Sequence, residues 1–119
     1  TSTFGPIFSA GVKALTGNQD WLIERNQVYK ERRDLVVSGL KKAGFTLEPP
    51  KAAIYVWAQL PARESDSINF CSRLLEEIGI STTPGIVYGK HGEGYLRVSL
   101  GTSTERVREA MTRLANWKR

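Results

Sequence analysis

Residues 18–44 carry the pattern that most limits what this chain can fold into. Trp21, Val28 and Leu35 recur every seven residues, and Leu22, Tyr29, Val36, Leu40 and Ala43 fill the neighbouring stripe. That spacing places one apolar face along an α-helix. Asn18 and Asp20 suit its start and Gly44 its stop. The expected helix is about seven turns long at 3.6 residues per turn. One small core does not need so long an element, so the expectation is a brace between two domains.

The flanking segments are shorter. Residues 1–17 read as a connector: an extended Thr1–Gly5, then a helix from Pro6 to about Leu15, stopped by Gly17. Phe4, Ile7 and Phe8 form an exposed apolar start, which predicts a cover from outside the chain. Residues 18–119 form the domain proper. After Gly44, Phe45–Leu47 is extended, and Pro49-Pro50 breaks the chain before a strand over Ala53–Ala58, closed by Pro61. Ser65 or Asp66 caps a second helix with Phe70, Cys71, Leu74, Leu75 and Ile78 inward, ended by Gly79. Ile80–Thr82 is a short strand. Pro84–Gly94 holds four glycines and reads as a mobile loop before the strand Tyr95–Leu100. Thr102 and Glu105 make a capping box for the last helix, which buries Val107, Ala110, Met111 and Leu114. The order predicts an α+β fold, a small sheet packed against helices.

Composition narrows the function. At 40% hydrophobic and 24% charged residues the chain is of the globular class. Its net charge of +5 is dispersed: Arg32-Arg33 and Lys41-Lys42 stand beside Glu31 and Asp34, as on a solvated helix face, which argues against a nucleic-acid surface. No apolar run approaches the roughly 20 residues of a membrane span, and no signal-peptide pattern opens the chain. The lone Cys71 lies on an apolar helix face, which predicts a buried core thiol and a reducing, cytoplasmic setting. His91 has no second histidine or cysteine nearby, so no metal is expected. Glu64, Asp66, Glu76, Glu77 and Glu93 do not pair by spacing as a general acid and base.

One residue stands out as chemistry-bearing. Along Tyr95–Leu100 the side chains alternate, with Leu96, Val98 and Leu100 on one face and Tyr95, Arg97 and Ser99 on the other. An arginine in the middle of a strand is a rigid planar donor suited to two-pronged recognition of a carboxylate or phosphate. The competing reading is an edge-strand arginine, solvated or paired with a local acid. The glycines from Gly85 to Lys90 have the wrong spacing for a phosphate loop and precede a strand instead of a helix.

Two segments carry a resemblance. Pro49-Pro50-Lys51-Ala52-Ala53-Ile54-Tyr55-Val56-Trp57, and Thr82-Thr83-Pro84-Gly85-Ile86-Val87-Tyr88-Gly89 through Gly92–Leu100, resemble the C-terminal small domain of class I/II, fold type I aminotransferases, in order and in spacing. The resemblance is nearest to diaminopimelate-type enzymes. It implies pyridoxal 5′-phosphate in the full-length enzyme, amino-acid and 2-oxo-acid substrates, a large domain upstream and a homodimer. It also implies that Arg97 holds the substrate α-carboxylate. The lysine that binds the cofactor lies, in the family, upstream of Thr1, and neither Lys13 nor Lys41 and Lys42 matches it. The chain alone is therefore expected to bind no cofactor and to be inactive. In the family Thr1–Pro6 lies at the dimer interface, and Thr83–Gly89 borders the substrate cleft and moves on closure. Two other readings use the same scaffold: a ligand-sensing domain of a transcription regulator, and a lyase using the same cofactor.

Overall fold

The computed structural model describes residues 4–118. The expected extended start at Thr1–Thr3 lies outside them. Helix α1 spans Gly5–Thr16 with Pro6 in its first turn, and α2 spans Asp20–Lys42. Gln19 joins them, its side-chain amide donating to the carbonyls of Ala14 and Gly17 at the end of α1. The Asp20 N–H donates to the Asn18 side chain at 2.7 Å, so Asn18 does serve the start of α2. The chain then forms β1 (Tyr55–Gln59), α3 (Ser67–Ile78), β2 (Thr83–Pro84), β3 (Tyr95–Ser99) and α4 (Thr104–Asn116).

The sheet is antiparallel in the order β1-β3-β2, so the last strand in sequence is the central one. Val56, Ala58 and Leu96 enter a single core with Val36, Val37 and Leu40 of α2, Phe70 and Leu74 of α3, and Val107 and Leu114 of α4. Phe70 is fully buried and meets Phe45 and Trp117 edge-on, both at 5.6 Å between ring centroids. The opposite face of the sheet carries Tyr55, Trp57, Tyr95, Arg97 and Ser99, none of which belongs to that core. This is the expected α+β arrangement of a small sheet covered by helices.

Several local expectations need correction. Only the second half of α2 is buried. Val36, Val37 and Leu40 reach the core, whereas Trp21 and Val28 are exposed because α2 extends past the sheet and α4. Arg32 and Arg33 are not a solvated face. Arg32 donates to the Thr104 hydroxyl and the Leu100 carbonyl, and Arg33 to Asp34 and the Pro50 carbonyl, so both tie α2 to other segments. β1 starts at Tyr55 and not at Ala53, because Ala53 sits at φ +67°, which no strand accommodates. Leu75 is exposed, since the core lies beneath the Phe70–Leu74 stripe.

Ile80 forms no strand because its N–H is used to close α3. With Gly79 at φ +64°, the N–H of Ile80 bonds the Leu74 carbonyl and that of Gly79 the Leu75 carbonyl. The strand instead begins at Thr83, opposite Arg97. Ser103 replaces Thr102 as the cap of α4, its hydroxyl accepting from the Arg106 N–H. Glu105 still serves that helix start: its own backbone N–H, then the Ser103 hydroxyl, hold its carboxyl below the usual value.

Candidate functional site

The glycine-rich segment before β3 is built. Gly85–Tyr88 and Lys90–Gly92 are two consecutive 3-10 turns. They fold against each other because Gly85 and Gly92 meet backbone to backbone. A Cβ on Gly85 would lie 2.0 Å from the Gly92 carbonyl oxygen, and one on Gly92 would lie 2.1 Å from that of Gly85. No side chain fits in either place. The fully buried Ser67 fastens this unit to α3: its hydroxyl accepts from the Ile86 N–H, and its own N–H donates to the Glu93 carboxylate at 2.7 Å. Glu93 also accepts from the Gly94 N–H at 3.0 Å. These bonds, that from Ser67 first, hold the Glu93 carboxyl below its ordinary range.

The result of this construction is the position of Tyr88. Its ring meets the edge of Trp57 at 5.1 Å and lies 4.7 Å from the guanidinium carbon of Arg97. Tyr55, from β1, lies closer still, with its ring centroid 4.0 Å from the same carbon. Arg97 itself is in the middle of β3, directly between Trp57 of β1 and Thr83 of β2. The edge-strand reading is thereby overturned. Among the described residues Arg97 makes no hydrogen bond or ion pair, and its Nε is buried without a partner.

The other partly buried arginines differ. Arg32 and Arg33 are tied by the bonds already given, and Arg73, which shares a buried unpartnered Nε and lies over Phe70 and Trp117, pairs through another nitrogen with Glu64 at 2.6 Å. Only at Arg97, among these four, is the positive charge met by aromatic rings while its donors go unused. A guanidinium presents its five N–H groups in its own plane and its π-face above and below it. Ring contact therefore holds it without occupying the donors a carboxylate would need.

The remaining candidates stay apart from this face. Cys71 is buried in the core, as expected, and accepts a hydrogen bond from the Thr82 hydroxyl at 3.2 Å. Burial pushes its thiol above the ordinary 9.0, and the Thr82 bond offsets part of that rise. His91 is exposed in the second 3-10 turn. No group of three or more His, Cys, Asp or Glu that could hold a metal is found among the described residues. No described helix is long and apolar enough to cross a membrane.

Two of the concavities among the described residues lie elsewhere. One of about 360 Å³ lies on the core side against Leu40, Leu74, Val107 and Met111. The other, of about 580 Å³, lies between α2 and Pro50–Ile54 and is bordered by Arg25, Lys30, Arg33 and Lys51. Arg97 lines neither.

Sequence reasoning found Arg97 and missed its aromatic companions. The alternation of β1 does contain Tyr55 and Trp57, since Val56 and Ala58, which alternate with them, are core residues. Nothing local announces Tyr88, which reaches the site only through the packing of two glycines.

Comparison with known proteins matches this architecture. The family model of the aminotransferases of class I and II matches residues 2–114. An LL-diaminopimelate aminotransferase from Moorella thermoacetica is 46% identical over 114 residues, which cover 96% of this chain and 29% of that protein. Among solved structures, substrate-bound BacF from Bacillus subtilis superposes with a TM-score of 0.83 at 33% identity, covering 96% of this chain and 29% of that one. A probable N-succinyldiaminopimelate aminotransferase from Thermus thermophilus gives 0.78 at 33% identity over 88% of this chain and 28% of its own. The chain thus spans less than a third of the length of these relatives. With its fold and its sequence in agreement, the chain belongs to the class I and II aminotransferases.

Proposed function

We propose that this chain is the small domain of a pyridoxal-phosphate-dependent aminotransferase of the diaminopimelate type, and that Arg97 holds the α-carboxylate of its amino-acid substrate. The observation that carries the assignment is the state of Arg97: central in the sheet, half-buried, held by two rings and without an acid or carbonyl partner among the described residues. A half-buried guanidinium in that state gains most from a carboxylate, which takes two parallel N–H···O bonds.

Arg97, Tyr55, Trp57 and Tyr88 offer one cation and three rings. That set fits a substrate carboxylate and includes no amine and no phosphate-cradling helix end, so it does not fit the cofactor. In this reading the cofactor is anchored by the large domain, residues 1–17 connect to that domain, and 18–119 form the small domain. The exposed apolar side chains of α1 pack against the large domain or the second subunit of a homodimer. The isolated chain neither binds the cofactor nor catalyses transfer, and the enzyme is cytoplasmic.

The cofactor supplies the electron sink for the amino-group chemistry. Arg97 supplies orientation. By fixing the carboxylate on a stiff strand, it sets which substituent of the α-carbon stands ready to react. Lysine at the same place would keep the charge and lose the planar fork. The pair of 3-10 turns gives the site a firm wall.

The test is kinetic, in the full-length protein, with a panel of amino donors that includes diaminopimelate and aspartate. Arg97→Ala should lower kcat/KM by about 2–4 kcal/mol of transition-state stabilisation. Arg97→Lys should recover little of it. Wild-type kinetics in Arg97→Ala would remove this residue from the site.

A further inference from the structure

We infer that Tyr55 and Tyr88 are positioning residues for Arg97, holding the guanidinium in a set plane while leaving its donors unoccupied. The inference rests on the carboxylate-binding role of Arg97 proposed above.

An arginine side chain has much rotamer freedom to lose, and a clamp that swings would present its fork at varying angles. Proteins usually settle such a side chain with an acid or a carbonyl, as here at Arg32, Arg33 and Arg73. A tie of that kind would consume the N–H groups that must meet the substrate. Contact between ring and cation uses the face of the guanidinium instead. At Arg97 two rings lie against the guanidinium carbon, with centroids at 4.0 and 4.7 Å.

Both rings have fixed footings. Tyr55 stands on β1, diagonal to Arg97, whose direct partner is Trp57. Tyr88 is placed by the contact of Gly85 with Gly92, by the bond from Ile86 to Ser67 and by the edge of Trp57. The elaborate folding of the glycine-rich segment thereby acquires a purpose, which is to deliver one ring to one cation.

The experiment is a double-mutant cycle in the full-length protein, measuring steady-state kinetics with the donor panel and confirming folding by thermal melting. Tyr88→Leu should lower kcat/KM about five- to tenfold, mostly through KM, and Tyr88→Phe should stay within about twofold, because the ring and not the hydroxyl does the holding. In an Arg97→Ala background Tyr88→Leu should cost nothing further, since its effect passes through the arginine. Additive losses, or equal losses for Leu and Phe, would overturn the inference while leaving Arg97 as clamp. A wild-type Arg97→Ala would instead sink the underlying reading. Tyr55→Leu runs the same cycle from the other ring and decides the matter if Tyr88→Leu does not fold.

Discussion

The two ends of this molecule obey the same local rules with opposite outcomes. Helix α1 has a proline in its first turn, a glycine after its last and four large apolar side chains, Ile7, Phe8, Val12 and Leu15, yet none of its residues is buried; Leu15 is 83% exposed. The body formed by the second half of α2, the sheet, α3 and α4 has a comparable share of apolar residues and gathers them into one core. Its shape shows the division. The Cα radius of gyration is 17.6 Å and the long axis 53 Å, where a compact chain of this length would have a radius of about 13–14 Å. Helix formation needs only local sequence, whereas burial needs a second surface. α1 has the first and, within this chain, lacks the second.

The widest gap between the regions should appear on truncating a ring in each. Phe70→Ala opens a cavity beside Phe45 and Trp117 and should cost about 3–5 kcal/mol of stability in denaturant melts. Phe8→Ala, in α1 of this chain by itself, should stay within about 0.5 kcal/mol. If Phe8→Ala costs as much as Phe70→Ala, α1 is packed in solution and the contrast fails.

A methyl group added in each region sharpens the contrast. Gly85→Ala forces a Cβ into the Gly92 carbonyl and should destabilise by about 1–3 kcal/mol. At Gly11, inside α1, an added Cβ meets nothing within 4 Å, so Gly11→Ala should gain about 0.5–1 kcal/mol of helix propensity, visible as higher ellipticity. Equal responses at the two sites would mean that the 3-10 pair is looser than its backbone contact requires.

The smallest effect is one of pH. Glu93 is held below the ordinary 4.5 by the N–H groups of Ser67 and Gly94. Because its folded value is depressed, the stability it contributes is complete above about pH 4.5 and lost as pH falls through the folded value. The Ser67 amide resonance should therefore titrate with a midpoint under 4.5, and Glu93→Gln should abolish that titration. α1 contains no acidic residue and should show no change in the same range. A Ser67 midpoint at or above 4.5 would contradict the hydrogen-bonded geometry of Glu93.

Much of this was legible in the chain itself. The alternation across Tyr95–Leu100 sorted Arg97 from Leu96 and Leu100 because a strand sends neighbouring side chains to opposite faces whatever lies beyond them. The caps at Asp66 and Gly79 and the apolar stripe of α4 were visible for a similar reason, since helix ends are governed by a few adjacent residues. Errors arose where a local reversal of the chain claimed the backbone of an apolar residue. Ile80 was lost to the end of α3, and Ala53 to a turn before β1. Period alone also could not tell which of two apolar stripes on α2 would be covered, since that depended on how far the sheet and α4 extend.

For the site, the residue types and the face of β3 belong to the sequence, because they follow from a two-residue repeat and from side-chain chemistry. The central place of β3, the company of Tyr55 and Tyr88 and the freedom of the Arg97 donors belong to the tertiary structure. They depend on strand order and on two glycines meeting seven positions apart, and contacts of that kind leave no period in a sequence.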